Sequence, residues 1–149
     1  DYILIDCMPS LGMVTINALT AADSVIIPVQ AQYLPAKGMT QLLKSINMVR
    51  THTNEHLNVA GIVMTLVDSR TNLAKEVIST IRTNYGMMLR IFDTQIPVAV
   101  KAAEATKAGK SIFAYDGESK PAIAYERLTR EVMSLGEREK RRDETSIAR

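Results

Sequence analysis

The feature that most constrains this chain is a set of three compact apolar runs, Tyr2 to Ile5, Ser24 to Val29 and Val59 to Leu66, each rich in Ile and Val and without polar alternation. A strand that alternates can leave one face in water, whereas a strand apolar on both faces must be covered on both, as inside a parallel sheet. Between the second and third runs, Met39, Leu42, Leu43, Ile46 and Val49 recur at helical spacing, with Gln41, Lys44, Ser45 and Arg50 elsewhere on the wheel. That segment reads as an amphipathic crossover helix.

Further along, Leu73, Val77, Ile81 and Tyr85 mark a second helix, and Gly86 is expected to end it through the freedom glycine has at positive φ. A strand is expected over Met88 to Phe92, an Ala-rich helix from about Val100 to Ala108, a short strand over Ser111 to Tyr115, and a last helix from Ala122 to Leu135. The alternation predicts an α/β fold with a doubly wound, mainly parallel sheet, helices on both faces and right-handed crossovers. Residues 1–136 read as one domain. The mixed charges of 137–149 read as a tail that frays or extends the last helix into solvent.

With 46% apolar and 23% charged residues, the 149-residue chain has the make-up of an ordinary globular domain. Its formal charge of +2 is too small to indicate a nucleic-acid partner by itself. The single cysteine, Cys7, excludes an internal disulfide and fits a reducing cytoplasm. No apolar run approaches the roughly 20 residues that span a bilayer. The opening on Asp1-Tyr2-Ile3-Leu4-Ile5-Asp6, without Met, suggests a fragment cut before a strand.

Asp6 would stand at the carboxyl end of the first strand, where open α/β sheets bind ligands and where a carboxylate can serve Mg²⁺. Asp also starts turns and caps helices, so that position by itself leaves both readings open. Cys7 beside it reads as a small packed residue rather than a nucleophile. His52 and His56 have the i, i+4 spacing of helical metal ligands, but they straddle the expected helix end and have no third partner, so they read as solvent-exposed.

The wider context is Asp6-Cys7-Met8-Pro9-Ser10-Leu11-Gly12, then Thr15-Ile16-Asn17-Ala18-Leu19, Ala21-Ala22-Asp23 and Ile27-Pro28-Val29-Gln30. This resembles the ParA family, also called Soj, of deviant Walker ATPases, whose usual strings are D-C-P-P-S-L-G, T-x-N-A-L, A-A-D and I-P-V-Q. The similarity continues through Gly61-Ile62, Asp68-Ser69-Arg70-Thr71-Asn72-Leu73, Ile96-Pro97, Glu104-Ala105, Gly109-Lys110 and Tyr115-Asp116. Met8 departs from the first proline of the switch, and Val98-Ala99-Val100-Lys101 stands where relatives often have R-N-V-R.

The resemblance implies ATP or ADP and Mg²⁺ as cofactors, with Asp6 as the catalytic Walker B aspartate holding Mg²⁺ through water, and Pro9 and Ser10 in the γ-phosphate switch. It implies an adenine end at Asp68, Ser69, Arg70, Pro97 and Val98. It also implies a homodimer, DNA bound without sequence preference through Arg70, Lys101, Lys107 and Lys110, and a centromere-binding ParB-like partner. Segregation of a plasmid, chromosome or mobile element and a cytoplasmic, nucleoid-associated location follow from the same likeness.

No G-x-x-x-x-G-K followed by Ser or Thr stands in the 149 residues, and Gly109-Lys110-Ser111 has Glu104 where the first glycine of such a loop is required. The expectation is therefore a P-loop-fold portion that does not hydrolyse ATP by itself and that self-associates through an unpaired edge beside Tyr2 to Ile5 or through the former dimer face. A catalytically silent interaction or regulatory module on the same fold is the alternative. A MinD-like positioning protein is disfavoured because Ile147 is the only large apolar residue after Gly136, and no membrane partner is expected.

Overall fold

A computed structural model describes residues 2–8, 12–32 and 36–147 of the chain, with 36, 37 and 137–147 described by backbone course only. Among these residues the order is α1 (Met13–Ala21), β1 (Ser24–Gln30), α2 (Ala36–His52), β2 (Asn58–Val67), α3 (Asn72–Tyr85), β3 (Ile91–Pro97), α4 (Val100–Lys107), α5 (Ile112–Asp116) and α6 (Lys120–Ile147). The three strands form a parallel sheet in the order β1-β2-β3. This is the α/β fold expected from the apolar runs.

Each face of the sheet has its own core. On one side Ile27, Val29, Ile62, Met64 and Val67 meet Leu19 of α1, Met39, Ile46 and Val49 of α2, and Ala74, Val77 and Ile81 of α3. On the other, Val63, Phe92 and Ile96 meet Ala124 of α6, with Leu128, Val132 and Leu135 packed around them. The helical periodicity of α2 and α3 thus buries the side chains that the wheel places on one stripe. Asn54 ties the layers together, its amide donating to the carbonyls of Leu19 and Ala22 at 3.2 and 2.8 Å, which closes the exposed end of α1.

Five local expectations are corrected. Tyr2 to Ile5 is not a strand: none of these residues pairs in the sheet, and their side chains are 62, 92, 91 and 50% exposed. An apolar run becomes a strand only when a neighbour supplies the ladder, and β1 is not paired with it. Cys7 is correspondingly exposed rather than packed. The third strand begins at Ile91, not Met88, because the N–H groups of Met88 and Leu89 still donate to Tyr85 O at 2.9 and 2.8 Å in the turn that closes α3.

Ser111 to Tyr115 is helical instead of extended. The Ser111 hydroxyl accepts the Ala114 N–H at 3.1 Å and so caps α5. Gly86 does end α3, but at φ −64° rather than in the left-handed region. Its lack of a side chain matters for another reason, since a Cβ there would lie 2.5 Å from Arg82 O. Gly109 takes the left-handed conformation expected of Gly86, at φ +63°, with Lys110 N–H bonded to Ala105 O at 3.0 Å and Gly109 N–H to Thr106 O at 3.1 Å. This paired arrangement is the Schellman closure of α4.

α6 runs without interruption through Gly136 to Ile147. At Gly136 a Cβ would stand 2.9 Å from the Tyr2 hydroxyl, so the missing side chain leaves room for that ring.

Candidate nucleotide-end site and basic surface

The carboxyl ends of β2 and β3 meet in one place. Val67 pairs with Pro97, and the Val98 N–H donates to Val67 O at 3.1 Å. The loop holding Asp68, Ser69 and Arg70 therefore starts beside the one holding Pro97 and Val98. Just before it, Leu66 takes φ +50°, a conformation uncommon for a residue with a side chain, at a point where the β2–β3 register shifts. The bulge turns the chain out of the sheet into the Asp68 loop.

Asp68 organises that loop. The Arg70 backbone N–H donates to Asp68 Oδ1 at 3.1 Å, and the Arg70 guanidinium spans both carboxylate oxygens, Nε to Oδ1 at 2.9 Å and Nη2 to Oδ2 at 2.8 Å. These bonds favour the charged forms of both groups: the Asp68 carboxyl is lowered from 3.8 to about 2, first by the Arg70 side-chain bond, and the Arg70 guanidinium is raised by Asp68. Thr71 then accepts the Ala74 N–H at 3.2 Å and starts α3, while its own hydroxyl donates to Asp68 O at 2.9 Å. The pairing of Arg70 with Asp68 across two residues was not read from the sequence.

Between β3 and the start of α6 lies an open cleft of about 650 Å³ lined by Ser69, Thr94, Gln95 and Pro97 on one wall and Lys120 and Arg127 on the other, with Ile123 and Ala124 between the two cations. On α6 the positions 120, 123, 124 and 127 share one stripe. Ser69 and Pro97, expected at the adenine end, thus share a cleft wall.

Asp6 is exposed and lies outside the sheet. Pro9 and Ser10 lie outside the described residues. No group of His, Cys, Asp and Glu among the described residues is arranged to hold a metal ion, and His52 and His56 are both exposed as expected.

The four basic residues separate into two kinds. Arg70 is committed to Asp68, and Lys101 lies 3.8 Å from both Glu104 Oε2 and Asp116 Oδ2 with its ammonium 5.7 Å from the centre of the Tyr115 ring. The Tyr115 hydroxyl closes this cluster by donating to Glu104 at 3.2 Å. Lys107 and Lys110 are exposed, and no ion pair forms on either among the described residues. No helix among the described residues is long and apolar enough to cross a membrane.

One further residue went unread. Glu131 sits on the α6 stripe with Leu128 and Leu135, and its carboxylate reaches the backbone of Asp93 and Thr94 in β3. The available signal was a lone carboxylate on an otherwise apolar helix face, a place that favours a hydrogen-bonded role.

Residues 1–59 match the AAA domain family. The sporulation initiation inhibitor protein Soj of Bacillus subtilis is 44% identical over 136 residues, which is 91% of this chain and 53% of Soj. The chromosome partitioning protein ParA of Caulobacter vibrioides is 40% identical over 133 residues, 89% of this chain and 49% of ParA. Among solved structures, cobyrinic acid a,c-diamide synthase from Mycobacterium smegmatis with bound ADP and magnesium superposes with a TM-score of 0.64 at 36% identity, over 83% of this chain and 42% of the synthase. The chain spans about half the length of the relatives it matches. With identity of 40 to 44% sustained over about nine-tenths of its residues, it is a homologue of about half of each of the Soj and ParA proteins.

Proposed function

We propose that this chain supplies the Mg²⁺ aspartate, the γ-phosphate switch and the adenine end of a partitioning ATPase, and that its 149 residues do not hydrolyse ATP by themselves. The observation that carries the reading is the junction of the two loops through the Val67–Pro97 pair and the Val98 to Val67 hydrogen bond. Such a junction offers backbone donors and acceptors and a rigid proline beside an open cleft, which suits a flat, hydrogen-bonding base. The synthase that shares the fold was crystallised with ADP and magnesium, which supports the same ligand class here.

The residues present fit the nucleotide in part. Asp68, Ser69, Arg70, Pro97 and Val98 would hold the base end, and Asp6 offers an oxygen ligand of the kind Mg²⁺ prefers, directly or through water. When bound, Mg²⁺ would neutralise phosphate charge. Cradling the phosphates needs a glycine-rich loop and its lysine, and no such motif stands in this sequence. We therefore assign base recognition and one Mg²⁺ carboxylate to these residues and no hydrolytic step.

The same reading includes a homodimer, a ParB-like partner and DNA held by phosphate contacts, and so a cytoplasmic, nucleoid-associated protein. Lys107 and Lys110 suit phosphate contacts best, since Arg70 and Lys101 would first have to leave Asp68 and the Glu104–Asp116 pair.

Titration of the labelled chain with ADP and Mg²⁺ should shift the Ser69, Arg70 and Val98 amides before those of β1. Shifts confined to other regions, or none at millimolar ADP, would remove the adenine-end assignment. No phosphate should be released from ATP. Release that disappears in Asp6→Ala would overturn the inactive reading.

A further inference from the structure

β3 carries a bulge where it passes α6. The step from Ile62 to Met64 on β2 is matched on β3 by the longer step from Ile91 to Gln95, so β3 carries two more residues than β2 over that step and its pairing is locally broken. Backbone N–H groups released in this way need another acceptor. Glu131 supplies it: Oε2 accepts the Asp93 N–H at 3.1 Å, Oε1 accepts the Thr94 N–H at 2.9 Å, and Oε1 also accepts the Thr94 hydroxyl.

One carboxylate therefore holds two successive backbone donors and a side chain, joining α6 to the strand two residues before its last hydrogen-bonding stretch. Immediately downstream, Gln95 pairs with Met64, Pro97 pairs with Val67, and the Val98 N–H closes on Val67 O. Thr94, Gln95 and Pro97 also form the strand wall of the cleft opposite Lys120 and Arg127. A change in the bulge would bear on that wall, because only Gln95, Ile96 and Pro97 separate Thr94 from Val98.

We propose that Glu131 is a positioning residue: by capping the β3 bulge it fixes the Pro97–Val98 loop against Val67 and thereby the base end of the cleft. Its functional half rests on the adenine-end reading above, and its structural half does not.

Glutamine at this position has the same shape, but only one of its two terminal atoms accepts a hydrogen bond, so Glu131→Gln leaves one of the two backbone donors facing an NH₂ group. Amide hydrogen exchange on the whole chain separates the possibilities. Loss of a hydrogen bond to a charged acceptor should speed exchange at Asp93 or Thr94 by about tenfold or more, and the same variant should speed exchange at Val98. The Ala31 amide, bonded to Thr65 O at the β1–β2 end of the sheet, should be unchanged and so reports on global opening. Glu126→Gln, which touches only the Arg130 pair on the outer face of α6, should alter none of these.

Faster exchange at Asp93 and Thr94 with Val98 unchanged would overturn the proposal, since the clamp would then be local. So would equal acceleration at Ala31, which would make Glu131 a general stabiliser. If the wild-type chain binds ADP, Glu131→Gln should weaken that binding severalfold, and unaltered affinity would sink the functional half. If the wild-type chain binds no ADP, the adenine-end reading fails, and Val98 exchange still decides whether Glu131 positions the loop.

Discussion

The two edges of the sheet are finished differently. At β3 the chain closes its own edge: Glu131 takes the Asp93 and Thr94 donors, and Pro97, one residue before the inward-turned Val98 N–H, has no donor to present. At β1 the bonds from Ala31 N to Thr65 O and from Asn58 N to Asp23 O turn the odd-numbered residues inward, leaving Ser24, Ile26, Pro28 and Gln30 facing outward. Pro28 lacks an N–H, but the others keep theirs, and no strand among the described residues pairs on that side. An incoming strand would therefore find donors at Ser24, Ile26 and Gln30 of β1, whereas Asp93, Thr94 and Pro97 of β3 offer none. The open edge was expected beside Tyr2 to Ile5; it lies at β1, with Tyr2 to Ile5 outside the sheet altogether.

This contrast is also one of packing. Phe92 is completely buried between β3 and α6, whereas Leu4, an apolar residue of similar burial potential, is 91% exposed. Phe92→Ala should show the larger cost, about 3–5 kcal/mol, because it leaves a cavity between α6 and the sheet that neither can collapse to fill. Urea unfolding of the two chains measures it. A loss under about 1 kcal/mol would mean that α6 is not firmly docked, and the distinction between a closed and an open edge would weaken.

How far the sequence carried these features depended on the kind of signal. β1, β2, α2 and α3 rest on apolar periodicity, and they form within about three residues of where that periodicity puts them. Tyr2 to Ile5 has the same composition as β1 but no partner, since an apolar run states a preference for burial and not the identity of a neighbour. β3 was misplaced because Met87 and Met88 look like strand residues yet stand exposed in a turn, while Asp93 and Thr94 look like loop and are strand. Glu131 takes up the backbone donors of that polar stretch. Ser111 was read by its apolar followers rather than by its capping hydroxyl.

At the site, the nearness of Asp68–Arg70 to Pro97–Val98 came from the family resemblance, and the Val67–Pro97 pair gives it a physical basis. The likeness also nominated Arg70 and Lys101 as DNA contacts. What it lacked was the local geometry: Asp68 lies close enough for two oxygens to grip one guanidinium, and Glu104 and Asp116 converge on Lys101 only once α5 is a helix. A short strand at 111–115 would have hidden that contact.

Gly136 tests the boundary between the two regions. Within a helix, glycine is about 1 kcal/mol less favourable than alanine. The space it leaves is taken by the Tyr2 hydroxyl, the far end of a half-exposed side chain that can swing away. Gly136→Ala should therefore raise stability by about 0.5–1 kcal/mol while moving the Tyr2 ring resonances. A decrease in the thermal midpoint would show that the Tyr2 contact contributes more than the helix gains, and that the amino-terminal segment belongs to the packed body.

The smallest effect is the sharpest check on the open side. Leu4→Ser removes a large apolar side chain, but one that is already in water, so unfolding should exchange very little apolar surface at this position and the stability should stay within about 0.5 kcal/mol of the parent. The self-association expected of exposed apolar runs should fall at the same time, read by sedimentation at matched concentrations. A stability loss approaching that of Phe92→Ala would mean that Leu4 is buried in solution, in this molecule or against a second one. Repeating the measurement over a range of chain concentrations separates these cases, because only a contact between molecules makes the unfolding midpoint depend on concentration.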